Sequence, residues 1–345
     1  MTTLRYFSGL LAIIIVFTSC VKSTENEEIK PPVPFQGLVV PPHFPQPHYN
    51  FQNNPITEKG FELGRSLFYD PILSLDSTIS CGSCHAQVHA FADHGTTVST
   101  GIGGQVGKRN SPPIQNMAWY TSFMWDGGIN HIEVMPFAPI TSTVEMGETM
   151  SGVETKLQTH PTYPTRFKEA FGSEEISSQK ILFALAQFMS MMVSADSKYD
   201  KVLKGETSFD ERELHGYHIF QQKCASCHAE PLFTDLSFRN NGMMEDYSQD
   251  EGRSHITLEP SDFGKFKVPT LRNITLTHPY MHNGSIRNLT EVIEMYSSGV
   301  HQHFNTDPLL AEPFNFSDEQ KEALLYFLYT LEDYTFIGNH EFSEP

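Results

Sequence analysis

The sequence predicts a mainly α protein built as two tandem modules with long ordered loops, and three observations carry that expectation. Apolar residues recur at helical spacing in several segments, whereas strand-like alternation is scarce. A Cys-x-x-Cys-His pentad occurs twice, at Cys81–His85 and at Cys224–His228. The segments after the two pentads repeat each other at a constant offset of 157 residues. A chain of 345 residues has room for two domains of about 150 residues each, and it needs no disulfide staples to bury a core. Hydrophobic residues at 39% and charged residues at 19% fit a folded globular chain rather than a disordered one.

Residues 1–19 read as a secretory signal peptide, with Arg5 ahead of an apolar run from Leu10 to Phe17. That run is too short to span a bilayer, which takes about 20 residues. Phe-Thr-Ser-Cys at 17–20 has the form of a bacterial lipoprotein cleavage box, which makes Cys20 the lipidated residue and a membrane anchor. Residues 20–55 then form a tether and a Pro-rich arm. The stretch 21–30 is polar and acidic, and 31–55 holds eight of the 22 prolines, so an extended arm is expected. Its Phe, Val and Tyr residues suit it to packing on a folded body.

The two modules are expected at 56–192 and 193–345. Thr57 can cap a helix through Phe61, Gly64, Leu67 and Phe68 that ends before Pro71. Residues 95–165, rich in Gly, Pro and Thr, read as long loops with short helices. Ile181, Leu185, Phe188 and Met192 mark a core helix over 178–193. Ser208 with Glu211 reads as a capping box for a helix toward Gln222, and Ser317 with Gln320 as another for a helix through Leu331.

Four of the five cysteines lie in the pentads. Each thiol pair can add across the two vinyl groups of a haem, and the adjacent histidine then serves as proximal iron ligand. Cys81, Cys84 and His85 would hold one haem c, and Cys224, Cys227 and His228 a second. A zinc ribbon would place its knuckles 15–20 residues apart, whereas here 139 residues intervene. A thioredoxin-like pair would need a βαβ pattern nearby.

The repeat distinguishes the two haems. Pro112 and Asn116 align with Pro269 and Asn273, Gly127 with Gly284, and Ile132 with Leu289. The same register sets Pro139 opposite Tyr296. Tyr296 can offer a phenolate to the second iron, with Met281 and Met295 as rival ligands. Pro139 has no donor atom, so the first haem keeps an open face for a small oxidant. Peroxide cleavage there needs a placed carboxylate to move a proton. Glu133, Glu145 and Glu148 are candidates, and the uncharged setting of Glu145 favours a raised pKa.

These residues resemble the bacterial dihaem cytochrome c peroxidases and their MauG-type relatives. The matching stretches are Glu62–Pro71, both pentads, Lys108–Asn110, Phe123–Gly127, Val144–Met146, Val268–Asn273 and Pro279–Gly284. The resemblance implies two cytochrome c-like domains, an N-terminal peroxidatic haem and a C-terminal electron-transfer haem. It places the catalytic distal glutamate on Glu145, the inter-haem tryptophan on Trp125 and the distal proline on Pro139. It also implies a calcium ion held by Asn110 and by the carbonyls of Thr277 and Pro279. Two positions depart from the peroxidase pattern. Ile102 stands where a Gly-His-Gly loop carries a distal histidine, with His89 and His94 read as structural or surface groups. Met135 stands where the family has a distal glutamine. Tyrosine at 296 matches the MauG-type members.

The expected activity is reduction of hydrogen peroxide, with electrons from a small exported cytochrome c or cupredoxin. A MauG-type oxidation of a protein side chain and a non-catalytic electron carrier are the rival readings. With 23 basic and 41 acidic residues, a net charge of −18 argues against nucleic acid and favours a basic donor. The expected location is the bacterial cell envelope, on its periplasmic or surface side, and the family implies a homodimer.

Overall fold

The computed structural model describes residues 1–2, 35–93 and 95–345. The signal segment, Cys20, the acidic tether and His94 lie outside the described residues. The chain divides into Met1–Phe35 and Gln36–Pro345. Of the first unit only Met1, Thr2 and Phe35 are described, and every described helix and strand lies in the second.

The part of the chain before residue 192, called the first module below, contains α1 (Glu58–Tyr69), the single turn α2 (Cys81–Cys84), and α3 (Phe137–Thr141), α4 (Met150–Thr159), α5 (Tyr163–Phe171) and α6 (Ser178–Met191). The second contains α7 (Lys198–Leu203), α8 (Glu211–Lys223), α9 (Ser254–Thr257), α10 (Leu289–Ser298), α11 (Asp318–Tyr329) and α12 (Tyr334–Ile337). The strands among the described residues are β1 (Phe238–Arg239) and β2 (Phe266–Lys267), which pair antiparallel. The protein is therefore helix-rich with little sheet.

Local sequence explains the helix ends. The Thr57 hydroxyl accepts from the Gly60 amide at 3.0 Å, and α1 stops at the residue before the Asp70–Pro71 pair. Ser317 and Gln320 form the expected reciprocal cap on α11. The cap of α8 is not Ser208 with Glu211 but Asp210 with Glu213. Asp210 accepts from both the Arg212 and Glu213 amides at 2.9 Å, and the preceding Phe209 ring packs on Tyr217 and Phe327. Starting the helix two residues later is what lets Phe209 fold inward.

Each module buries one helix pair: α1 crosses α6, and α8 crosses α11. Phe68, Phe91 and Phe188 fill the first core, closed by Phe336 and Phe342 from the C-terminal end of the chain. Phe220, Phe233 and Phe327 fill the second. The described part of the Pro-rich arm packs on both modules. The Trp119 indole donates to the Pro45 carbonyl at 2.7 Å, and His43 Nε2 lies 2.8 Å from Asp200. No helix among the described residues is long and apolar enough to cross a membrane.

Candidate functional site

Both pentads present a histidine in the same way. His85 Nδ1 lies 2.7 Å from the Phe91 carbonyl. His228 Nδ1 lies 3.3 Å from the Phe233 carbonyl and 3.1 Å from that of Pro269. Carbonyls only accept, so Nδ1 carries the proton and Nε2 keeps its lone pair, the arrangement of a metal-ligating imidazole. Burial lowers the pKa of both rings and holds them neutral. The four thiols are free, and burial pushes Cys81 and Cys224 up to about 12. Free thiols beside a neutral imidazole with an open nitrogen are what a covalently attached haem requires, and the residues fit that group.

The far side of the first module is a turn rather than a helix. Pro136 and Pro139 hold α3 to five residues, and the chain then turns through Ser142 to Gly147. Gly101 presses so closely on that turn that a Cβ would fall 2.2 Å from the Val144 oxygen. The Ile102 amide donates to the Glu145 carbonyl at 2.8 Å, and the Ile102 side chain lies over Gly147. Ile102 thus packs against the turn that carries Glu145. The Glu145 side chain is solvent-accessible, yet the surrounding protein desolvates it enough to raise its carboxyl pKa.

The other two carboxylates are engaged elsewhere. Burial would raise Glu148, but Lys156 at 2.6 Å and the Thr149 amide outweigh it and lower its pKa. Glu133 accepts from the Tyr49 hydroxyl and faces His131 at 3.4 Å. Met135 is buried in the turn before α3.

In the second module a full helix, α10, occupies the register position of α3. Burial raises the Tyr296 phenol to about 12. The Asn241 amide donates to the Tyr296 hydroxyl at 3.2 Å and lies 3.7 Å from the Met281 sulfur. Two of the three ligand candidates therefore meet at one amide that the sequence did not single out. Met295 is half-buried beside Tyr296 on α10.

Trp125 lies on the seam between the modules. Its indole donates to the Asn110 carbonyl at 2.8 Å, and its own carbonyl accepts from the Lys267 amide at 2.7 Å. The Asn110 backbone amide donates to the His282 carbonyl at 2.7 Å, and its side-chain amide lies 3.3 and 3.2 Å from the Thr96 and Thr97 carbonyls. Asn110 is thereby set against the segment containing Thr277 and Pro279, and all three are buried. Their oxygens are neutral. Among the described residues no group of three or more His, Cys, Asp or Glu is arranged to hold a metal ion.

Two further features escaped the sequence reading. The Lys267 ammonium donates to the Ser122 carbonyl at 2.8 Å over the Tyr120 ring, and burial lowers its pKa to about 8. Arg272, fully buried, pairs through both terminal nitrogens with Asp200 at 2.9 and 2.8 Å. Arg272 lies inside a motif stretch, but its partner is 72 residues away and no local spacing points to it.

The comparisons with known proteins agree with one another. A family model described as di-haem cytochrome c peroxidase matches residues 58–208. The chain is 34% identical over 285 residues to the methylamine utilization protein MauG of Methylorubrum extorquens, covering 81% of this chain and 79% of that one. It is 36% identical over 252 residues to the cytochrome c551 peroxidase of Nitrosomonas europaea, covering 71% and 75%. The crystal structure of a MauG-like protein associated with microbial copper homeostasis superposes with a TM-score of 0.81 at 33% identity, covering 89% of this chain and 98% of that one.

Proposed function

Because this chain belongs to the di-haem cytochrome c peroxidase family, oxidoreductases of the peroxidase type, we propose that it reduces hydrogen peroxide to water at its first module and draws two electrons from an external protein donor through its second. Haem, when bound, supplies the redox iron at which the peroxide bond is cleaved. Cys81, Cys84 and His85 would hold one haem, and Cys224, Cys227 and His228 the other. Tyr296 would complete the second site, with Met281 and Met295 as alternatives.

Glu145 carries the proton. Its carboxylate takes a proton from the near peroxide oxygen and returns it to the departing one, and two protons and two electrons complete the conversion to two waters. The observation that carries this reading is the turn that holds Glu145: the Ile102 amide donates to the Glu145 carbonyl at 2.8 Å and the Met146 amide to the Pro139 carbonyl at 3.2 Å, in surroundings whose desolvation raises the Glu145 pKa. Pro139 has no side-chain donor atom and would not compete with peroxide at the first haem. Trp125, tied to both modules by its indole and its carbonyl, would pass the electrons across the seam. The Asn110 side-chain oxygen and the Thr277 and Pro279 carbonyls would hold a calcium ion that braces that seam. The domains would divide near residue 192. An exported protein tethered through Cys20 would meet a small cytochrome c or cupredoxin outside the cytoplasm.

A second reading, a MauG-type oxidase acting on a protein side chain, is favoured by Ile102 in place of a distal histidine and by Tyr296. Anaerobic peroxide titration separates the two. A peroxidase oxidises two equivalents of reduced cytochrome c per peroxide. Oxidising equivalents that persist for minutes without donor select the second reading. A spectrum indifferent to peroxide overturns both.

A further inference from the structure

The second module exceeds the first between its pentad histidine and its Pro269/Asn273 stretch, and Leu258 in that excess meets Phe304 from the loop after α10 in an apolar feature with no role in the chemistry above. Leu258 is 83% exposed and Phe304 is 76% exposed. They border one groove of about 360 Å³, lined also by Pro260, Phe263, Glu251 and Glu259. Leu258 ends α9 in the left-handed conformation, at φ +60°. That backbone suits glycine and strains a leucine. An exposed leucine held in a strained conformation gains nothing for the fold, because neither its burial nor its backbone favours it there.

The groove is fastened to the second site and to the seam. The Asn305 side chain, next to Phe304, donates to the carbonyls of Ser261 and Phe263 at 3.1 and 2.7 Å and accepts from Asn240 at 3.0 Å. The neighbouring Asn241 holds the Tyr296 hydroxyl. On the other flank, Arg253 donates to the carbonyls of Asp126 and Gly127, directly after Trp125. Hydrogen bonds and chain neighbours thus link the groove to both elements of the proposed electron path.

We infer that the Leu258–Phe304 groove is the docking site for the electron donor, a small basic redox protein with an apolar patch around its own redox centre. This rests on the reading of the second module as the point of electron entry. Charge selects the occupant. Glu251 and Glu259 rim the groove, and neither has an ion-pair partner among the described residues. With a net charge of −18, a second copy of this chain would be repelled from such a face, while a basic partner is drawn to it. An apolar centre with a charged rim is the usual anatomy of a transient interface.

The test uses the haem-loaded protein and mitochondrial cytochrome c, a basic redox protein, as probe, with affinity measured by calorimetry at low salt. The Leu258→Ser/Phe304→Ser double variant should bind about tenfold more weakly or worse. Its peroxide turnover with a small-molecule reductant should be unchanged. Leu258→Gly, which relieves the strained backbone, should also weaken binding while melting no lower than wild type. Equal affinity in wild type and variants, or no binding by wild type, overturns the proposal. A wild-type dimer in sedimentation that dissociates in the double variant overturns it in favour of a second copy. Failure of peroxide turnover with the small reductant sinks the peroxidase reading instead and leaves the affinity comparison standing.

Discussion

Gly64 on α1 lies so close to α6 that a Cβ would fall 2.0 Å from the Ala184 carbonyl and 2.9 Å from Phe188. Gly216 on α8 repeats this against α11, at 1.9 Å from the Ala323 carbonyl and 2.9 Å from Phe327. The resemblance continues through the loops. Phe91 and Phe233, Asn116 and Asn273, and Met124 and Met281 all take positive φ, between 55° and 74°. The bridges Phe123–Ile129 and Tyr280–Ile286 recur at the same offset. The modules part company beyond Ile132 and Leu289, where the first has prolines and the second an uninterrupted helix. That difference separates the segment carrying Pro139 from the segment carrying Tyr296. On the proposed reading, a turn would deliver Glu145 in the first module and a helix Tyr296 in the second. The proximal architecture is held in common, and the chemistry diverges through whether a segment can remain helical.

The largest effect that would break this contrast lies at Glu145. Glu145→Gln keeps the shape and removes the proton carrier, so peroxide turnover should fall about 10²–10⁴-fold. Tyr296→Phe should alter the spectrum of the second site while the first keeps its reaction with peroxide. Unchanged turnover in Glu145→Gln would remove that residue from the mechanism and erase the functional difference between the modules.

Much of the contrast was legible because it is local. Caps at Thr57 and Ser317 and the core helix Ser178–Met191 rest on short-range spacing, and the exchange of Pro139 for Tyr296 on the repeat register. The α8 cap was misread because Ser208-Phe-Asp-Glu-Arg-Glu213 contains two overlapping capping boxes, and only the tertiary packing of Phe209 chooses between them. Asn241, Lys267 and the Asp200 partner of Arg272 were hidden for a similar reason. Their meaning comes from residues 55, 145 and 72 positions away, at Tyr296, Ser122 and Arg272.

Next in size is the buried pair that locks the second module. Arg272→Met would strand Asp200 in the interior and should cost about 3–5 kcal/mol in urea unfolding. His43 and Ser197 would remain as its neighbours, so a loss near the lower end is expected. The first module has no buried Arg–Asp pair among the described residues, so a loss this large is peculiar to the second.

Acid provides a gentler probe of the same pair. Burial would raise the Asp200 pKa, but Arg272 and the Ser197 hydrogen bonds outweigh it and hold it at about 2. A carboxylate depressed from about 3.9 contributes about 2 kcal/mol, present in full above pH 4 and lost as pH falls through about 2. The corresponding slope between pH 4 and pH 2 should vanish in Asp200→Asn. A slope that survives would assign the acid sensitivity to other carboxylates.

The finest comparison, a difference of about 0.5 kcal/mol or less, tests the shared architecture itself. Gly64→Ala and Gly216→Ala each place a methyl group within 2.0 Å of a carbonyl oxygen on the partner helix, so each pair must spread. Overpacking of this kind costs about 1–3 kcal/mol. Because the two crossings have matching contacts, the two losses should agree within about 0.5 kcal/mol and add in the double variant, since distant sites act independently. Unequal losses would mean that one module tolerates separation of its helices better than the other. The equivalence would then extend to backbone form but not to rigidity, and the less yielding crossing would mark the module whose pentad must be held more firmly.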